Sequence, residues 1–292
     1  LIVDVREPAE HEAQSIPGAV LIPKHKFVDR SALEVLPRDR QISGFRKTRS
    51  KTVTIAPVER KPSPFSVNER FGFISQFVKM IGSKKTNSLV ITGDAGIGKS
   101  FNVTKNLSDT GLNEILLDNR GDFIVIKGFS TPRALYQTFW DYNGKVIVFD
   151  DCDNIHKDAT ASNLLKAALD SGSKRIMTWN SMRSEKDDDT PNRFEFTGRC
   201  IFISNMSVQE FPQALLSRSY CVDLTLTVSE KIDRIETVLE QYPGKTKEVI
   251  GFLREHGDKA VDLSVRSALN VLRLANNEDN WERLALYTLS LG

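Results

Sequence analysis

Five short apolar runs, at residues 88–92, 122–127, 145–153, 199–205 and 220–225, alternate with amphipathic stretches along this chain. Each run is nearly continuous in Val, Ile, Leu and Phe rather than alternating, as expected of strands covered on both faces in a parallel sheet. Residues 67–81 place Phe71, Ile74, Phe77, Val78 and Ile81 on one helical face, with Asn68 positioned to cap its start. Further helices are predicted from residue 101 to 107 and from 131 to 142. Beyond residue 226 the period is helical throughout. Thr227 or Ser229 can cap a helix carrying Ile232, Ile235, Val238 and Leu239, and residues 245–255, 264–275 and 281–289 supply three more. The pattern therefore predicts an α/β core with a parallel sheet over residues 67–226. A helical lid over 227–292 follows, hinged near Leu226 and Thr227.

Residues 1–42 have a different texture. Asp4-Val-Arg-Glu-Pro8, Ile16-Pro-Gly-Ala19 and Leu21-Ile-Pro23 resemble the opening of a rhodanese (sulfurtransferase) domain. That chemistry needs a cysteine heading the loop after the next strand, and here the chain reads Ser43-Gly-Phe-Arg-Lys-Thr-Arg-Ser50, with no cysteine before Cys152. Residues 1–42 thus read as a truncated remnant or a fusion junction. Residues 43–66 carry Arg46, Lys47, Arg49, Lys51, Arg60 and Lys61 against Glu59 alone, with Pro57, Pro62 and Pro64, and read as a basic tether.

Composition narrows the class. Hydrophobic residues make up 40% of the 292, no run approaches the length of a membrane span, and no secretory leader is visible at the start given, so a cytoplasmic protein is expected. Cys152, Cys200 and Cys221 are widely spaced and predicted to be buried free thiols. The net charge of +2 argues neither for nor against nucleic acid.

The chemistry is concentrated at the ends of the strands. Gly93-Asp94-Ala95-Gly96-Ile97-Gly98-Lys99-Ser100 fits G-x-x-x-x-G-K-[ST] after an apolar strand and before a helix, the pattern of a phosphate-binding loop. Its glycines allow successive N–H groups to face an anion, and the helix beginning at Phe101 adds its dipole. Lys99, expected as a surface-facing ligand, would meet the β- and γ-phosphates of ATP; Ser100 would hold Mg²⁺. Lys145-Val-Ile-Val-Phe-Asp150-Asp151-Cys-Asp153 delivers carboxylates to the same sheet edge, Asp150 for the metal and Asp151 for the attacking water. The run at 199–205 ends in Asn205, an uncharged group able to bond a γ-phosphate or that water.

The order of loop, acidic strand and strand ending in Asn205 resembles the AAA+ ATPases, with a texture similar to bacteriophage members. The resemblance spans residues 67–292 and implies further roles. Arg218, in Ala214-Leu-Leu-Ser-Arg-Ser219, falls where the family has an arginine finger serving the neighbouring subunit. Arg266, in Asp262-Leu-Ser-Val-Arg-Ser267, falls where a lid arginine reaches over the nucleotide. The implied protein is a Mg²⁺-dependent ATPase working as a homo-oligomer, a hexamer or similar ring, that remodels or loads protein or protein–DNA complexes. A slow nucleotide-controlled binding switch and a P-loop kinase are the alternatives. Two features depart from the family pattern: Asp151 stands where Glu is usual, and the short segment between Lys127 and Lys145 leaves little room for a pore loop; Phe129 reads as a helix-packing residue and residues 181–191 as a solvated surface, with a pore-facing role the alternative for each.

Overall fold

The computed structural model describes residues 2–4, 19–21, 63–116, 120–128, 131–172, 174–179 and 190–291. The chain divides into two compact units, Leu1–Pro62 and Ser63–Gly292. In the first, β1 (Ile2–Asp4) and β2 (Ala19–Leu21) pair in parallel. The remainder of the rhodanese-like segment, the tether up to residue 62, Phe129 and residues 181–189 lie outside the described residues.

The second unit is built on five parallel strands: β3 (Ser88–Gly93), β4 (Phe123–Lys127), β5 (Val146–Asp150), β8 (Arg199–Ile203) and β9 (Tyr220–Leu224). Their order across the sheet is β4-β5-β8-β3-β9. Strand alternation divides the side chains between two layers. Leu89, Ile91, Val148 and Ile201 pack beneath α1 (Val67–Gly82) and α2 (Lys99–Asp109). Val90, Ile147, Phe149 and Phe202 face α3 (Pro132–Asp141) and α4 (Ala159–Ala168). Both faces are apolar because both are covered, and each fully buried Ile or Phe contributes about 2 kcal/mol. The common register brings Gly93, Lys127, Asp150 and Ile203 to one sheet edge.

Several local details differ from expectation. Ser66, not Asn68, caps α1: its hydroxyl accepts from the Glu69 N–H at 3.3 Å while the Glu69 carboxylate accepts from the Ser66 N–H at 2.8 Å. This reciprocal pair satisfies two otherwise orphaned donors, which Asn68, already inside the first turn, cannot do. The hairpin β6 (Ile176–Thr178) with β7 (Arg193–Glu195) and the helix α4 were not foreseen. Cys152 and Cys200 are buried as expected, but Cys221 is exposed because β9 is an edge strand. No helix among the described residues is long and apolar enough to cross a membrane.

After α5 (Gln213–Leu216) and β9, four helices, α6 (Val228–Leu239), α7 (Thr246–His256), α8 (Val265–Asn277) and α9 (Trp281–Leu291), enclose their own apolar cluster. Thr227 is the cap of α6, in a second reciprocal pair with Glu230, so the turn into this bundle begins at the expected hinge.

Candidate functional site

The loop between β3 and α2 is shaped by close contacts. A Cβ on Gly93, at φ +129°, would lie 2.4 Å from the carbonyl carbon of Leu224, so β9 admits only glycine there. Gly98, at φ +94°, starts α2 without a side-chain cap, which leaves the first-turn N–H groups available to a ligand. Lys99 is not surface-facing: it is 5% exposed, and its Nζ donates to Gly93 O at 2.8 Å, Asp94 O at 2.7 Å and Asn205 Oδ1 at 2.8 Å. Burial draws its pKa below the usual lysine value, and Asp151, Asp94 and Asp150 oppose that shift.

Beside it stand the carboxylates of β5. Asp150 is buried, and its Oδ1 accepts from Ser100 Oγ at 2.7 Å. Its Oδ2 pairs at 3.2 Å with Lys127, which the sheet register sets directly opposite. Asp151 has φ +55°, with its N–H donated to Ile203 O at 3.0 Å. Asp and Asn tolerate this left-handed conformation better than Glu, a physical reason for the shorter acid at this position. Asn205 spans the site, accepting from Lys99 and donating Nδ2 to Asp151 Oδ1 at 2.7 Å. Burial first, and the charge of Asp150 second, raise the Asp151 pKa above the usual carboxylate value.

A cleft of about 410 Å³ opens between the loop and α8, within the range of small-molecule sites. Ala95, Gly96, Gly98, Lys99, Ser100 and Phe101 line one part of it; Asp151, Asn205 and Arg266 are also on its wall, with apolar Ile203, Val265 and Leu269. The loop touches α8 directly, Gly96 O accepting from Val265 N–H at 3.1 Å.

Three expected ligands lie elsewhere. The Ile97 side chain is buried in the core. Asp94 turns its carboxylate to the hinge, accepting from Leu226 N–H at 3.0 Å and pairing with Lys231 at 3.4 Å. Arg218 is exposed at the opposite, N-terminal edge of the sheet. There its Nη1 donates to Ala214 O at 2.7 Å and its carbonyl accepts from Ser88 Oγ at 2.9 Å.

Lys127, Arg70 and Arg234 were not anticipated. Arg70, buried on α1, pairs with Glu230 of α6 and donates to Thr225 O. These partners are distant in sequence, so no local motif announces them.

The donor set fits a magnesium–nucleotide complex. The Ser100 hydroxyl and Asp150 carboxylate present neighbouring hard oxygen ligands next to free helix amides and an ammonium group, and magnesium needs few protein ligands when phosphates supply the rest.

Fold and site together define an α/β protein with a parallel sheet whose C-terminal edge carries a glycine-rich loop, a buried lysine and paired carboxylates. No family model matches the chain. It is similar to the uncharacterized 36.7 kDa protein of the nrdC-mobD intergenic region of Enterobacteria phage T4. The two are 29% identical over 243 residues, covering 75% of this chain and 73% of that protein. This agrees with the expected likeness to phage proteins.

Proposed function

We propose that this chain is an AAA+-type ATPase that hydrolyses the β–γ phosphoanhydride of ATP. The observation that carries the reading is the convergence of Lys99, the Ser100–Asp150 pair and the Asp151–Asn205 pair at the N-terminus of α2. Phosphate on the loop amides offers Lys99 a stronger acceptor than the Gly93 and Asp94 carbonyls that it now bonds. Ser100 and Asp150 would hold magnesium, which supplies charge neutralisation across the β- and γ-phosphates. Asp151 accepts the proton of the attacking water, and Asn205 keeps that carboxylate aligned. Arg266, on the cleft wall, reads the nucleotide from the lid.

Arg218 cannot serve the loop of its own chain from the far sheet edge, and its exposure suits a role in the site of a second copy. This supports a homo-oligomer; the proposal is completed by a ring-type, cytoplasmic assembly that remodels or loads protein or protein–DNA complexes. A slow nucleotide-controlled switch is the second reading, favoured by the short Asp151 side chain held by Asn205.

Complementation tests the proposal. Arg218→Ala and Lys99→Ala proteins should each turn over ATP at least about a hundredfold more slowly than the parent. Mixed, they should recover activity that rises with protein concentration. Co-assembly without recovery would remove the in-trans arginine, and equal turnover by Lys99→Ala and the parent would remove the ATPase reading.

A further inference from the structure

Three of the five charged side chains on α6 are in ion pairs. Glu230 pairs with Arg70 of α1, Lys231 with Asp94 of the loop, and Glu236 with Arg254 of α7. Arg234, one turn beyond Glu230, has no carboxylate partner among the described residues. Its guanidinium lies over the Phe71 ring, 3.8 Å from the centroid, and its buried Nε has no hydrogen-bond partner among the described residues. A Cβ placed on Gly98 would be 3.8 Å from Arg234 Nη2, so the fork lies against the last loop residue before α2. Burial alone lowers its pKa, with no charged neighbour contributing.

A half-buried guanidinium without an anion loses hydration that no hydrogen bond from the described residues replaces at Nε. Its neighbour, the N-terminus of α2, likewise presents N–H groups with no side-chain cap. Both deficits are met by one anion at Gly98. Under the proposed ATP site, on which this inference rests, that anion is the phosphate chain. We infer that Arg234 is a second lid arginine for the nucleotide, giving its guanidinium to the phosphates beside Gly98 while Arg266 approaches past Gly96. Phe71 fixes the plane of the guanidinium in advance, so little side-chain entropy is lost when the ligand arrives. Nucleotide would then tie α6 to the loop directly, giving the lid a contact that depends on phosphate.

Titration calorimetry with ATP and with inorganic tripolyphosphate, on the full chain and its Arg234→Gln and Arg234→Lys variants, tests this. Arg234→Gln should weaken both ligands by about tenfold or more, the loss expected for a hydrogen bond between charged groups. Arg234→Lys, which keeps the charge but loses the planar fork stacked on Phe71, should bind more weakly than the parent and more tightly than Arg234→Gln. Gln-variant affinities equal to the parent's would overturn the inference. So would a variant whose free form melts earlier while its affinity at low temperature is unchanged, because Arg234 would then act only as a packing residue on Phe71. Failure of the underlying ATP site looks different: the parent and Lys99→Ala would bind ATP equally or not at all.

Discussion

Asp151 combines a strained backbone, a raised pKa and a carboxylate held by Asn205, and each has a measurable consequence. Asn is at ease in the left-handed region and retains Oδ1 as acceptor for Asn205, so Asp151→Asn preserves the local structure. It removes the proposed base, and turnover should fall at least about tenfold with nucleotide affinity retained. The folded-state pKa of Asp151 is raised, so its ionised form is disfavoured in the fold. Below the unfolded value near 4, both states are protonated and nothing is lost; as pH climbs through the folded value, the destabilisation appears. Asp151→Asn should therefore melt above the parent at neutral pH, with the difference shrinking as pH falls. A gap that widens toward acid would contradict the assignment. Asp151→Glu should lose about 1 kcal/mol by forcing a longer side chain into the left-handed region, readable as a lower denaturation midpoint.

At the level of elements, the contact between the loop and the lid decides whether nucleotide and lid motion are linked. Gly96, at φ +69°, would place a Cβ 2.8 Å from Ser264 Cβ, and Ser264 is the cap of α8. Gly96→Ala should push α8 from the loop, lowering stability by about 1–3 kcal/mol in a denaturant melt and weakening nucleotide binding in parallel. The sequence made the parts of this arrangement legible but not their joints. Gly93 to Ser100, Asp150, Asp151 and Asn205 could be read because each terminates a continuous apolar strand, and the parallel register carries them to one edge. The joints Asp94–Leu226, Arg70–Glu230 and Arg234–Phe71 link residues far apart in the chain, and no local period encodes them. The Ser66 cap was readable, since Ser66-x-x-Glu69 is itself a start signal, whereas β6 and β7, three residues each, are too short for alternation to register.

For the whole molecule, Ser63–Gly292 forms a compact unit and holds every proposed ligand. A chain beginning at residue 63 should therefore melt cooperatively and retain ATP turnover within about twofold, because truncation falls outside the unit's cores. Loss of turnover in a folded fragment would assign the first 62 residues a part in the reaction. Solution mass with a slowly hydrolysed ATP analogue should exceed that of the free chain if Arg218 serves a second copy. The central claim, that the loop from Gly93 to Ser100 seats a nucleotide, is tested most directly by titrating magnesium–ATP into the full chain and Lys99→Ala side by side. The account predicts one saturable site per chain, weakened at least about tenfold in the variant, which lacks the ammonium proposed as the charged donor to the phosphates. Identical isotherms for the two proteins would contradict it.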